Sequence, residues 1–293
     1  MSNGRQEGRK TMIKRVDAHQ HFWAYSPEEY GWIDGNMEEI RRDFLPPHLA
    51  TEMAGAGISA SIAVQARQTV AETEWLLHLA EEHSWIAGVV GWAPLISPDF
   101  PALLERLCAH PKFCGLRHVL QDEPDDDYML RDGFNRGIHL LNGTDLVYDI
   151  LIYERHLPIA IQFVDRHPNQ KFLIDHLAKP RIRAAEISPW RENIREIARR
   201  PNVWCKLSGI VTEANWQSWT TDTLRPYVEI ALEVFGPQRI LAGSDWPVCT
   251  LATNYQRWWQ TLEAMLSSLS ASEQDAVFGG NAIEIYNLKG LKA

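Results

Sequence analysis

A single (β/α)8 barrel is the fold this sequence predicts, and three observations predict it. Eight short runs rich in β-branched and aromatic residues alternate with amphipathic stretches of helical period. No segment shifts in composition as a linker or second domain would, and 293 residues suit one barrel of roughly 250 residues with extensions. The rival doubly wound sheet usually carries a G-x-G-x-x-G turn after its first strand, and none is present.

The strands are expected at residues 15–22 (RVDAHQHF), 58–66 (ISASIAVQA), 86–95 (IAGVVGWAPL) and 113–120 (FCGLRHVL). The second half supplies 146–152 (LVYDILI), 171–177 (KFLIDHL), 202–208 (NVWCKLS) and 239–245 (RILAGSD). A first helix is expected near 47–55. A second at 71–84 places Trp75, Leu76 and Leu79 on one face with its charges opposite. The helix at 101–110 opens on Pro101, where a missing N–H is harmless. Further helices are expected at 157–166, 190–200, 223–235 and 254–269. A last one covers 270–288, opened by a capping box of Ser270 and Glu273. Residues 1–13 read as a disordered polar tail without the apolar core of a signal peptide, and 14–293 as one barrel domain.

Between the first strand and its helix, residues 23–46 form a long loop holding Trp23, Tyr25, Tyr30 and Trp32. Such a loop is either a wall of the pocket or a layer of aromatics packed over the barrel end.

The bulk numbers exclude several partners. A net charge of -9, with no basic run inside it, argues against a nucleic-acid groove or an anionic membrane surface. No apolar stretch approaches the ~20 residues of a membrane span. Four scattered cysteines, without a C-x-x-C pair, suit reduced thiols and a cytoplasmic setting. Asn142-Gly143-Thr144 fits a glycosylation sequon, but nothing else suggests secretion. Association into a homo-oligomer stays open.

Barrels of this kind place their chemistry at the C-terminal ends of the strands, so costly polar residues there are the informative ones. The first strand ends in His19-Gln20-His21. Side chains at i and i+2 share a face, so both imidazoles enter one space, either the barrel mouth or the outer helical layer. Two imidazoles aimed together bind a metal or polarise a substrate. The sixth strand ends in Asp175-His176, expensive to bury unless the two are paired or used. The eighth ends in Gly243-Ser244-Asp245, a carboxylate placed as a general base, a ligand, or a cap for the following turn. Arg117 and His118 on the fourth strand, and Lys206 on the seventh, either grip substrate carboxylate and hydroxyls or form structural ion pairs. The remaining histidines (His48, His78, His83, His110, His139, His156 and His167) fall on helices or their ends and read as surface or packing residues.

These residues resemble the amidohydrolase superfamily, whose first-strand H-x-H, sixth-strand His and eighth-strand Asp match His19, His21, His176 and Asp245. More narrowly, the segments VDAHQHFW (16–23), GLRH (115–118), DHLAKP (175–180), KLSGIVTEA (206–214), GSDWPV (243–248) and VFGGNAIEIYNL (277–288) are similar to the fuconolactonase-type branch of the amidohydrolase-2 family. Two-metal members carry a bridging Lys or Glu on strand four and a His on strand five. Here strand five has no histidine and strand four offers Arg117-His118. The resemblance therefore implies at most one divalent ion, zinc foremost, held by His19, His21, His176 and Asp245. Some relatives hydrolyse lactones with none.

The reaction it implies is the opening of a sugar lactone to its aldonic acid. Asp245 activates water, while His19, His21 and His176 polarise the carbonyl, directly or through the metal. Arg117, His118 and Lys206 bind hydroxyls or the developing carboxylate, and Trp32 or Trp246 covers the sugar face. Two alternatives stand beside it: a metal-dependent decarboxylase of an aromatic acid on the same barrel, and a barrel that binds a ligand without turning it over.

Overall fold

The computed structural model describes residues 15–291, and the tail expected at 1–13 lies outside them. Eight parallel strands follow in sequence order around one sheet: β1 (Val16–Gln20), β2 (Ala60–Val64), β3 (Ile86–Gly91), β4 (Phe113–Val119), β5 (Val147–Leu151), β6 (Lys171–Ile174), β7 (Val203–Leu207) and β8 (Ile240–Ala242). The two edges meet through a parallel bridge between Gln20 and Trp246. Backbone bonds from Asp245 N to His19 O (2.8 Å) and from His21 N to Trp246 O (2.7 Å) reinforce it. The result is a (β/α)8 barrel in one domain.

The helices that alternate with the strands are α1 (Pro46–Ala56), α2 (Val70–Glu82), α3 (Phe100–Cys108), α4 (Asp132–His139), α5 (Leu157–Asp165), α6 (Trp190–Ile197), α7 (Thr221–Phe235) and α8 (Tyr255–Met265). Helix α4 has no counterpart in the sequence reading. Its segment, DGFNRGIH, holds two glycines, poor helix formers, and only two large apolar residues. Phe134 and Ile138 are nevertheless buried. A Cβ at Gly137 would collide with the Leu95 carbonyl, so the glycine lets α4 lie against the loop after β3.

The expected last helix breaks into three: α9 (Ala271–Asp275) with the Ser270–Glu273 capping box, a π turn over Ala276–Gly280, and α10 (Asn281–Ile285). Asn281 Nδ2 donates to Pro237 O and Ile240 O, both at 2.7 Å, and anchors α10 beside the start of β8. Ile283, Ile285, Tyr286 and Leu288 join Val16, Ile62, Leu173 and Leu241 in one buried cluster. The chain end thus plugs the barrel floor.

Most of the aromatic loop packs down. Trp23 and Tyr30 are buried, Trp23 bridges Phe44, and its indole N–H donates to Arg42 O at 2.9 Å. Trp32 is the exception and stays over a third exposed. Among the described residues the four cysteines are unpaired, and no helix is long and apolar enough to cross a membrane.

Candidate active site

The first strand carries an irregularity on which the site depends. From Asp17 to Gln20, β1 advances three residues while β2 advances two, from Ser61 to Ala63. This extra residue is a β-bulge, which re-aims side chains. Val16 and Ala18 face the barrel interior, whereas Asp17 points outward and accepts from Tyr255 of α8 at 2.9 Å. Without the bulge, His19 and His21 would continue the outward set. With it, both rings turn inward.

Asp17 also fastens the bulge to the end of β8. It accepts from Ser244 N (2.8 Å), Ser244 Oγ (2.6 Å) and His19 N (3.2 Å), and burial pushes its carboxyl up to about 6. One outward aspartate therefore positions the segments that bear His19 and Asp245.

Beyond β6 the backbone makes a left-handed turn in which His176, Leu177, Ala178 and Lys179 all have positive φ. Non-glycine residues pay about 1–2 kcal/mol each for this conformation, and it concentrates at functional sites. The turn presents His176 to Ser208 Oγ, 2.9 Å from Nδ1. Gly209, at φ 62, lies directly against that ring, and a Cβ there would collide with it. Gly209→Ala is expected to displace His176 and lower kcat by about tenfold or more, with a stability loss of about 1–2 kcal/mol. Steady-state kinetics beside thermal unfolding separate the two effects, and an unchanged kcat would remove His176 from the working site.

Asp245, itself at φ 58, projects into the same space. Its Oδ1 lies 3.3 Å from His21 Nε2, 3.7 Å from His19 Nε2 and 3.9 Å from His176 Nε2, and the two first-strand Nε2 atoms are 3.1 Å apart. Burial holds all three imidazoles below their ordinary values, His176 at about 4. Burial alone would raise the Asp245 carboxyl, but attraction to the imidazoles in their charged forms outweighs it and holds the carboxyl well below the usual range. At pH 7 the centre is therefore one carboxylate among three neutral rings.

The donor set fits a divalent cation. His21 Nδ1 is 2.7 Å from Val64 O, a bond a neutral ring makes only by donating. Its Nε2 is then a bare lone pair facing the Asp245 oxygen, and two acceptors at 3.3 Å need a cation or a proton between them. Ligands about 2.0–2.1 Å from one zinc stand roughly 3.3 Å apart, and the His19, His21 and Asp245 donors are separated by 3.1, 3.3 and 3.7 Å. His19, His21 and Asp245 form one close group, and His19, Asp175 and His176 another, sharing His19.

Beneath the rings lies a buried ionic layer. Arg117 donates to Asp175 Oδ2 (3.0 Å) and to Gln65 Oε1 (2.7 Å), and its Nη1 reaches His19 Nε2 at 3.3 Å. Lys206, fully buried, donates to Asp149 and lies 3.0 Å from Asp175 Oδ1 and 3.1 Å from His19 Nδ1. Two cations thus face two carboxylates, Asp149 and Asp175, where an isolated charge would cost several kcal/mol.

A cavity of about 760 Å³ opens above this floor, lined by His21, Arg117, His176 and Asp245 below and by Trp32, Tyr153, Trp216, Lys179 and Glu213 along its walls. Of the residues expected to meet substrate, Arg117 and Trp32 line it. Lys206 does not, being spent on Asp149, Asp175 and His19. His118 accepts from the Trp92 indole N–H (3.1 Å) and donates to Glu123 (2.6 Å), a structural pairing outside the cavity lining. Trp246 is buried against Phe22 and Phe44. Asp17, Gln65 and Asp149 escaped the sequence reading, since each sits singly within or just past an apolar strand, Asp17 in the shadow of the H-x-H pair that follows it. The Asp175–His176 neighbours do not bond each other; Asp175 turns to the cations and His176 to Ser208 and Asp245.

A family model described as amidohydrolase matches residues 16–288. The L-fucono-1,5-lactonase of Burkholderia multivorans is 42% identical over 287 residues, covering 94% of this chain and 96% of the relative. That of Burkholderia ambifaria is 38% identical over 283 residues, covering 94% and 97%. Among solved structures, an amidohydrolase from Burkholderia multivorans with bound zinc superposes at a TM-score of 0.90 with 41% identity, covering 94% of this chain and all of that one.

Proposed function

The chain belongs to the amidohydrolase family, and from that premise we propose that it hydrolyses a sugar lactone of the L-fucono-1,5-lactone kind to the open aldonic acid. The observation that carries the reading is one ionised carboxylate, Asp245, set among three neutral imidazoles at the floor of a cavity walled by aromatic and hydrogen-bonding side chains.

Asp245 takes the proton from the attacking water, a role worth about 10²–10⁴ in rate. A divalent ion, zinc foremost, would be held by His19, His21, His176 and Asp245 and would supply Lewis acidity there. The Arg117 guanidinium, whose Nη1 lies 3.3 Å from His19 Nε2, sets a positive charge beside the same volume and stabilises the oxyanion as it develops. Asp245, now protonated, returns the proton to the ring oxygen as the acyl bond breaks. Trp32 covers one face of the sugar. Lys179, over the Tyr153 ring at 5.4 Å, and Glu213, which makes no side-chain hydrogen bond or ion pair among the described residues, meet its hydroxyls.

The cavity walls favour a neutral lactone over the aromatic carboxylate of the decarboxylase alternative. Glu28, Glu29, Asp122, Glu213 and Asp245 outnumber Arg67, Arg117 and Lys179, and of these cations Arg67 is paired with Glu29 and Arg117 with Asp175. Acid release from a panel of aldonolactones, with carbon dioxide followed in the headspace, tests the reading. Acid without carbon dioxide is expected; carbon dioxide from an aromatic acid would replace the proposal, and ligand binding with no turnover would favour the non-catalytic alternative.

Chelation tests the metal separately. Stripping the ion is expected to lower turnover, with zinc restoring it at one equivalent per chain. Full activity in metal-free protein would leave the imidazoles and Arg117 to polarise the carbonyl alone.

A further inference from the structure

The plug at the barrel floor reaches the chemistry. Tyr286, immediately after α10, is almost fully buried, and its hydroxyl lies 2.9 Å from both Asp149 carboxylate oxygens. Asp149 holds Lys206, and Lys206 contacts both His19 Nδ1 and Asp175, whose Oδ1 is 3.4 Å from the same nitrogen. The polar path therefore runs from the chain's last helix to the ring whose Nε2 faces Asp245. Phenylalanine would fill the same space at the floor. A buried hydroxyl is costly unless bonded, and Tyr286 bonds only to Asp149 among the described side chains.

The Nδ1 edge of His19 is governed by Lys206 and Asp175 together. Where Lys206 sits decides which of them His19 faces, and Lys206 is held from below by Asp149. We infer that Tyr286 is a positioning residue for the site, fixing Asp149 and through it Lys206 so that His19 presents Nε2 to the catalytic volume. The inference rests on the reading that this volume binds metal and hydrolyses lactones. It extends that reading to a residue of the C-terminal plug that touches neither substrate nor ion.

Tyr286→Phe in the full-length protein is the test, with Leu288→Ala as a control that removes plug packing without touching the hydroxyl. Outer partners of metal-binding histidines typically change affinity or activity by about 10–100-fold when removed. Tyr286→Phe should therefore weaken zinc at least about tenfold, measured by competition with a chromophoric chelator, and lower kcat with little change in KM. Leu288→Ala should lower the unfolding temperature and leave zinc affinity within about twofold. Wild-type zinc affinity and kcat in Tyr286→Phe would overturn the inference, as would equal zinc losses in both variants. Should the wild-type protein turn over no lactone, the lactone reading fails and zinc affinity alone decides for Tyr286. Should it bind no zinc, the metal reading fails and the kcat comparison decides.

Discussion

Replacing Asp245 by Asn is expected to lower kcat by about 10²–10⁴ while leaving the fold intact. The substitution is isosteric, and asparagine tolerates the left-handed backbone at φ 58 as readily as aspartate does. What changes is the electronic character of one oxygen. The carboxylate carries a negative charge at pH 7, and its Oδ1 lies within 3.9 Å of all three rings, so it is placed to accept a proton from water held among them. An amide cannot. It also removes a charged ligand, so zinc affinity should fall with turnover. The measurement is kcat on a lactone beside a thermal melt. Undiminished turnover in a folded Asp245→Asn protein would take Asp245 out of the mechanism.

The largest expected loss of stability comes from Lys206. Lys206→Met keeps the length of the side chain and deletes the charge that Asp149 and Asp175 share. Removing one partner of a buried ion pair costs about 3–5 kcal/mol, because the remaining charge is stranded. In a domain of this size that amounts to about 10 °C of unfolding temperature, at roughly 2–4 °C per kcal/mol. Adding Asp149→Asn should recover about 1–3 kcal/mol, since it removes one stranded carboxylate.

The pH dependence has a definite sign. Burial already raises the Asp149 carboxyl above its ordinary value even with Lys206 beside it, and losing Lys206 raises it further. A group that binds its proton more tightly when folded adds stability below its unfolded value, 3.8 here, and that contribution is lost as pH rises through the higher folded value. The Lys206→Met protein should thus recover part of its deficit on acidification from pH 7. A deficit that does not shrink would mean the stranded carboxylate is not its cause.

How much of this was legible in the chain depended on which physical signal each feature leaves. Strands buried on both faces leave continuous apolar runs, and all eight were readable. The costly residues at three strand ends were visible for the same reason, since His19, His21, His176 and Asp245 stand out against such runs. Two readings could not be closed from the chain alone. Period-two alternation places His19 and His21 on a common face but assumes an even strand, whereas the bulge between Asp17 and Gln20 decides which face it is. The roles given to Lys206, His118 and Trp246 rested on nearness in sequence to the strand ends. Their partners, Asp149, Glu123 with Trp92, and Phe44 with Phe22, come mostly from other strands and loops that only the closed barrel brings together. Tyr286 was the least legible, because a tyrosine in an amphipathic C-terminal segment reads as packing until the floor of the barrel is seen.

The central claim is that the convergent carboxylate and imidazoles deliver water to the acyl carbon of a sugar lactone. Turnover in ¹⁸O-labelled water, followed by mass spectrometry of the product, tests it most directly. One labelled oxygen in the aldonic acid carboxylate per turnover, formed well above the uncatalysed rate, is the predicted result. Label absent from that carboxylate, or no acceleration with any aldonolactone, would contradict it.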